Sequence, residues 1–327
     1  MTDNDRRAVA AWLFLCAAMV FAIVVVGGVT RLTRSGLSIV EWQPLIGILP
    51  PLSEADWQAL FAKYRETPEY KLVNLGMDLA GFKRIFWWEY VHRLLGRLVG
   101  LVYLLPFLWF LVRRRIERPL AWKLWGVFAL GALQGALGWY MVMSGLVDDP
   151  RVSQFRLTAH LGVALAIIAA QLWIGLELLR PTAGRRSRFA VALAGLVFLM
   201  ALSGAMVAGL RAGAAYNTFP LMNGHLVPPE ALMLEPWWRN FGYNMATVQL
   251  VHRGLFWLLL LFVPLAWWTA RARTSAHALL AVFTLQAALG ISTLLAGVPL
   301  ALAVAHQAGA VLLLVAALYH AHERTAA

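Results

Sequence analysis

Two matched motifs place histidine and arginine inside apolar stretches of this chain. Val91-His92-Arg93 recurs as Val251-His252-Arg253, and we expect each copy to open a membrane helix. Ala159-His160 recurs in the same way as Ala305-His306. Ionisable side chains are costly in such stretches, so they usually face a protein interior and carry function. Neutral imidazole in these surroundings is a good metal ligand, and the four histidines are therefore candidate metal ligands.

The two copies of the first motif differ at one position, because Glu89 in the first copy is Gln249 in the second. Glu89 lies three residues before His92, so both side chains project from one face of a helix. A carboxylate there suits proton-coupled chemistry on a bound molecule, whereas pure electron transfer gains little from it. The difference favours one substrate site, with Glu89 as its candidate catalytic group, and one redox cofactor site. An ion pair of Glu89 with Arg93, or with an arginine of the first long loop, is the alternative.

The elements that position these residues are membrane helices. The 327 residues are 61% hydrophobic and 13% charged, against about 45–50% and about 25% in soluble proteins. Apolar runs of 20 or more residues predict an all-α integral membrane protein. The eight predicted helices span 8–29, 88–112, 120–144, 156–179, 189–210, 246–270, 275–297 and 300–322.

The net charge is +12, and Lys and Arg are most concentrated in the two termini and in alternate short connections between helices, with 13 in the 32 positions of 1–7, 113–119, 180–188, 271–274 and 323–327. This pattern is typical of membrane topology and argues against nucleic-acid binding. It predicts both termini in the cytoplasm and the four histidines near the periplasmic face. A long outer loop spans 30–87, and within it residues 56–64, after Ser53, should form a capped amphipathic helix.

An internal repeat relates the two halves of the chain. Leu133-Gln134-Gly135-Ala136-Leu137-Gly138 matches Leu285-Gln286-Ala287-Ala288-Leu289-Gly290, in the same order as the histidine motifs. Four helices followed by four similar ones predict two tandem four-helix bundles, related by a pseudo-two-fold axis along the membrane normal. The predicted halves are residues 1–182 and 183–327.

Each half then holds one histidine pair, His92 with His160 and His252 with His306. Two histidines from two helices of a four-helix bundle can hold a haem by both axial positions. Zinc or copper is the alternative, although no cysteine or carboxylate cluster accompanies the second pair. Five arginines are candidate partners of haem propionates: Arg31, Arg34, Arg93, Arg211 and Arg253. Small residues such as Gly96, Gly100, Gly135, Gly138 and Gly162 could pack on a flat ring or simply allow close helix packing.

These residues, taken jointly, resemble those of one family, the haem A synthases of cytochrome oxidase assembly. The resemblance rests on Gly28-Val29-Thr30-Arg31-Leu32-Thr33, Ser35-Gly36-Leu37-Ser38, Glu89-Tyr90-Val91-His92-Arg93, Thr158-Ala159-His160, Asn217-Thr218-Phe219-Pro220-Leu221-Met222, Val251-His252-Arg253 and Ala305-His306-Gln307.

The resemblance implies that haem O is converted to haem A, a ring methyl group becoming a formyl group through a hydroxymethyl intermediate. It implies haem B as cofactor on His252 and His306, haem O as substrate on His92 and His160, and a catalytic contribution from Glu89. The single cysteine, Cys16, lies in the first predicted helix, which matches the branch without loop cysteines, found in proteobacteria and mitochondria. A bacterial inner membrane is the expected location.

Beyond haem O and lipid, the partners to consider are a haem O synthase, an electron donor and a second copy of the chain. Two other functions stay open at this point. A cytochrome b with two permanent haems would transfer electrons without a substrate site. A tandem-repeat transporter would bind no haem, and it would leave the four matched histidines unexplained.

Overall fold

The computed structural model describes residues 1–41, 48–143, 145–146, 150–181 and 187–323. Within these ranges eight helices are long and apolar enough to cross a membrane. They are α1 (Asp3–Leu32), α4 (Leu79–Val112), α5 (Arg118–Met143), α6 (Gln154–Leu179), α7 (Arg188–Leu210), α10 (Met245–Thr269), α11 (Thr274–Leu295) and α12 (Leu300–Glu323). Four short helices complete the set: α2 (Glu54–Arg65), α3 (Pro68–Leu72), α8 (Ala212–Ala215) and α9 (Asn240–Tyr243). The prediction of an all-α membrane protein is confirmed.

Most predicted helix ends lie within a few residues of the observed ones, but the start of α4 was predicted wrongly. α4 begins at Leu79, nine residues before the predicted start at 88. Lys83 and Arg84 interrupt the apolar run and so hide this stretch, yet Asp78 caps the helix by accepting a hydrogen bond from the Gly81 N–H. His92 and Glu89 consequently lie several turns inside α4 and do not open it.

The first long loop carries the capped helix that was predicted. In α2 the Ser53 hydroxyl accepts from Asp56 N–H, and the Asp56 carboxylate accepts from Ser53 N–H, which is a capping box. α2 and the N-terminal part of α4 share a buried aromatic cluster of Trp57, Tyr64, Phe82, Phe86 and Tyr90, and Tyr70 of α3 packs against it. Burying these large rings fixes the loop helices on the outer part of α4.

The spanning helices have the same neighbours in both halves of the chain. α1 packs on α4 and α6, and α5 packs on α6; correspondingly, α7 packs on α10 and α12, and α11 packs on α12. Between the halves, α1 meets α12, α6 meets α7, and α6 meets α12. If each helix is exchanged with its counterpart in the other half, the contact of α1 with α12 becomes the contact of α7 with α6. The contact of α6 with α12 is unchanged. A pseudo-two-fold axis would give this pattern, so it favours the predicted tandem arrangement.

One side of each half is loosely packed. α4 contacts α5 sparsely, and α10 contacts α11 sparsely, whereas the other neighbouring pairs within each half pack closely. Leu124 and Val127 are the buried residues of α5 among its described side chains. Since close packing is the norm in protein interiors, the α4–α5 side and the α10–α11 side are the least closely packed parts of the two halves.

Candidate functional site

Each of the four matched histidines packs against a glycine of the preceding spanning helix. A methyl group added to Gly27 would lie 2.9 Å from Cε1 of His92, and one added to Gly138 would lie 3.1 Å from Cε1 of His160. In the second half, the corresponding distances are 3.2 Å from Gly204 to His252 and 2.7 Å from Gly290 to His306. At Gly27 and Gly290 an added methyl group would force the imidazole to shift, and at Gly138 and Gly204 the ring would have to give by a few tenths of an ångström. The glycines therefore fix where each imidazole lies.

The histidines form one pair within each half. His92 and His160 are close enough for their charges to interact, and so are His252 and His306. All four residues keep some exposed surface although they lie inside spanning helices. Among the described residues there is no group of three or more His, Cys, Asp or Glu side chains that could hold a metal ion. Pairs of partly accessible imidazoles fit a haem, which needs just two protein ligands.

The hydrogen bonds of Ser203 assign the tautomer of His252. The Ser203 hydroxyl donates its single proton to the Met200 carbonyl at 2.8 Å and lies 2.7 Å from His252 Nδ1. With the hydroxyl proton on the Met200 carbonyl, the contact to His252 is made by Nδ1–H as donor, and this is the tautomer that the geometry favours. Nε2 of His252 is then unprotonated and can bind iron, which is the usual arrangement of a metal-binding histidine. Nδ1 of the other three histidines meets no described partner at hydrogen-bond geometry.

A glutamine from the repeated sequence lies beside the second histidine of each half. Nε2 of Gln134 is 3.3 Å from Nε2 of His160, and Gln286 donates to the backbone carbonyl of His306 at 2.9 Å. The side-chain oxygens of both glutamines are buried without a described partner. Buried polar atoms are normally satisfied, so a bound ligand is a natural partner for these two.

Glu89 forms an ion pair in this structure. Its carboxylate is 2% exposed and accepts from the Arg93 guanidinium at 2.6 Å. Its other oxygen accepts from the Ser38 hydroxyl and from the Ile39 N–H, both at 2.8 Å. Arg93 in turn donates to the carbonyls of Ile39 and Glu41. The alternative of an ion pair with Arg93 is thus realised, and the pair fastens residues 38–41 onto α4.

The matching positions in the second half also fasten a loop. Gln249 donates to the Tyr216 carbonyl at 2.9 Å, and Arg253 donates to the carbonyls of Tyr216, Thr218, Pro220 and Leu221. Arg93 and Arg253 therefore play equivalent roles, each holding an outer loop segment by its backbone. Glu89 differs from Gln249 mainly in bringing a negative charge.

The other predicted arginines lie at the outer ends of two matched helices. Arg34 follows α1 and Arg211 follows α7, both exposed and both in the left-handed backbone region, with φ of 53° and 55°. Such a conformation costs a residue other than glycine about 1 kcal/mol or more. Arg31 donates instead to the Ala208 carbonyl of α7 and so joins the two halves. Of the five candidate arginines, Arg34 and Arg211 are the two whose guanidinium groups donate to no residue in the described ranges, and they remain available to an anionic ligand.

The remaining histidines lie apart from the two pairs. His225 pairs with Met222 through backbone hydrogen bonds in the outer segment. His277 accepts from Trp267 Nε1. His320 lies 3.2 Å from Ser275 Oγ, and His322 lies 3.5 Å from Glu177, at the inner ends of α12 and α6. These contacts give the four remaining histidines structural roles.

The sequence analysis missed several residues of the site. Gly27 and Gly204 precede Arg34 and Arg211 by the same seven positions, a match that would have extended the repeat to α1 and α7. Of the glycines proposed to face a flat ring, Gly138 contacts a histidine, Gly162 contacts Leu202 and Gly96 lies near Ile23. No sequence signal pointed to Ser203, nor to Glu69, which is 4% exposed in α3.

Fold and site together define a multi-pass membrane protein with two histidine pairs, each suited to one haem. The sequence profile described as "Cytochrome oxidase assembly protein" (COX15-CtaA) matches residues 10–318, and the chain belongs to this family.

Close relatives carry the name "Heme A synthase". The one from Nitrosospira multiformis is 59% identical, covering 97% of this chain and 94% of its own. The one from Nitrosomonas eutropha is 56% identical, over 97% and 93% of the two chains. That from Parvibaculum lavamentivorans is 50% identical, over 98% and 95%.

Proposed function

We propose that this chain is a haem A synthase, a membrane oxidoreductase that converts haem O to haem A. A ring methyl group of haem O becomes a formyl group through a hydroxymethyl intermediate. The observation that carries the proposal is that each half holds one pair of histidines. Every one of these histidines packs against a glycine, and a carboxylate accompanies only one of the two pairs. Full-length similarity to proteins named "Heme A synthase" supports it.

The proposal gives the two halves different ligands. Haem O binds as substrate on His92 and His160, beside Glu89, and haem B binds as cofactor on His252 and His306. When bound, haem B supplies a one-electron redox centre. The Ser203 hydrogen bond supports this assignment, because a permanent cofactor needs a ligand of fixed tautomer and orientation. The tandem arrangement of two four-helix bundles, residues 1–182 and 183–327, is part of the same proposal.

Glu89 and Arg93 hold the outer loop of the substrate half in place. Their ion pair fixes residues 38–41 above His92, and it places a negative charge where the second half has the neutral Gln249. We assign Glu89 a contribution to turnover through this charge and through the position of the loop. For the propionates, Arg34 and Arg211 are the strongest candidates, because Arg93 and Arg253 already bind backbone carbonyls.

The density of Lys and Arg in alternate connections supports a bacterial inner membrane location with both termini in the cytoplasm. The loops held by Arg93 and Arg253 are then periplasmic, and both haem sites lie near that face. The chain has no second cysteine, so electrons do not pass through a disulfide within the chain.

The test is an inventory of haems in protein purified from cells that also make haem O. We expect haem B together with haem O, its hydroxylated form or haem A, separated by chromatography and identified by mass. Two equivalents of haem B alone would instead support an electron-transfer cytochrome, and protein without haem would support the transporter.

A variant separates the roles of the halves. Glu89→Gln makes the first half resemble the second, and it should lose turnover while the haem B content stays at one per chain. Gln249→Glu, the reciprocal change, is the matched control and should keep turnover. Full activity of Glu89→Gln would remove Glu89 from the reaction.

A further inference from the structure

A second buried carboxyl group lies on the outer side of the substrate half, in the short helix α3. Glu69 is 4% exposed, although it belongs to a loop helix outside the spanning segments. Its backbone carbonyl closes α3 by accepting from Val73 and Asn74. Its side-chain Oε2 is buried without a hydrogen-bond partner among the described residues. A buried carboxyl oxygen left unpaired is expensive, and it usually has a functional reason.

The groups around Glu69 come from four different elements. The charge of Glu89 on α4 acts on it, as do the charges of Arg34 after α1 and Arg211 after α7. Tyr64 of α2 is the fourth neighbour, and its hydroxyl accepts from Asn74. Glu69 therefore lies in a cluster that joins the outer loop and the substrate half to Arg211, the residue that follows α7 in the second half.

Hydrogen bonding distinguishes Glu69 from its neighbour Glu89. Burial, and then the negative charge of Glu89, raise the pKa of Glu69 to about 7 from its ordinary 4.5, against the opposing effect of Arg34 and Arg211. Tyr64 is itself fully buried, and burial raises the pKa of its hydroxyl to about 12. Glu89, by contrast, is already used in an ion pair and in two further hydrogen bonds to the loop.

We propose that Glu69 is the group through which the outer side of the substrate half exchanges protons, while Glu89 remains an ion-paired anion. The inference rests on the proposed function, because the protons concerned are those of haem O oxidation. The step itself is an acid–base exchange: the Glu69 carboxylate takes a proton from a hydronium ion at the outer face, so that the donor O–H bond breaks, the carboxyl O–H bond forms and water is left, and the reverse step returns the proton. Glu69 is thus a proton-transfer residue, and its effect on the substrate passes through the cluster.

The first experiment measures protonation directly on the purified full-length protein, without following turnover. Infrared difference spectra recorded across pH should show a carboxyl C=O band that titrates near pH 7. The band should vanish in Glu69→Gln and persist in Glu66→Gln. Glu66 is the matched control, since it lies three residues away and its side chain is 81% exposed beside Lys71. A wild-type protein without such a band, or a band that survives Glu69→Gln, would overturn the proposal.

The second experiment measures turnover against pH. Proton transfer by a positioned group contributes roughly 10²-fold or more, so Glu69→Gln should slow conversion of haem O by about that factor and lose the limb of the pH profile near 7. Its haem B and haem O contents should match those of the wild type, and Glu69→Asp should recover part of the rate. An unchanged pH profile in Glu69→Gln would refute the role. If the haem inventory failed in the wild type as well, the proposed function would be at fault instead.

Discussion

The glycines behind the histidines allow the two haem sites to be disturbed one at a time. Gly290→Ala would place a methyl group 2.7 Å from Cε1 of His306, and Gly27→Ala would place one 2.9 Å from Cε1 of His92. Neither contact can be relieved by a flexible chain end, because the opposing atom belongs to a ring. We expect each substitution to push the imidazole away from its position and to weaken only the haem of its own half.

The size of the effect follows from the cost of overpacking. Inserting a methyl group into a filled site costs about 1–3 kcal/mol. If this cost falls on the bound geometry of one ligand, haem affinity drops about 5- to 150-fold, since each 1.4 kcal/mol is tenfold. Gly290→Ala should then lose haem B while it still takes up haem O, and Gly27→Ala should lose haem O while it keeps haem B.

The assay is the haem inventory of each purified variant, followed by titration of the missing haem into the protein. Gly126→Ala and Gly254→Ala are the controls, because a methyl group at either position meets no atom within 4 Å. Both glycines lie inside helices, where alanine is favoured by about 1 kcal/mol. Loss of both haems from either test variant, or an unchanged inventory in both, would refute the separation of the sites.

Three further outcomes are expected. Ser203→Ala removes the acceptor of His252 Nδ1–H and should raise the midpoint potential of haem B by roughly 20–60 mV, as one hydrogen bond of about 1 kcal/mol predicts; an unchanged potential in a redox titration would contradict the assigned tautomer. Arg211→Gln should weaken haem binding in a manner that depends on ionic strength, whereas Arg239→Gln, in the same outer segment, should not; equal affinities would exclude a propionate contact. Glu69→Gln should unfold at a higher temperature than wild type above pH 7 and at the same temperature near pH 4.5. Between these pH values the folded wild type keeps Glu69 protonated, whereas the unfolded chain has lost that proton. The stability of the wild type therefore falls as pH rises, by up to about 3 kcal/mol. Parallel melting curves at all pH values would disprove this.

The sequence was sufficient for the class of protein and for the histidines. Apolar runs of membrane length admit only helices, because the backbone has no other hydrogen-bond partners in lipid. Duplication then made His92, His160, His252 and His306 stand out from the other histidines. The capping box at Ser53 and Asp56 was equally visible, since it depends on residues three positions apart.

The tertiary structure decided which polar groups meet. Ser203 reaches His252 from another helix, and Glu89 takes its loop partners from residues fifty positions away. The same is true of Glu69, whose burial depends on how the outer loop folds over α4 and on charges from three distant elements. Patterns along the chain report periodicity and local capping, but the environment of a buried carboxyl group is set by residues far away in sequence. The sequence therefore determined where the imidazoles are, and only the packing of the loop decided which carboxyl group is paired and which is left to bind a proton.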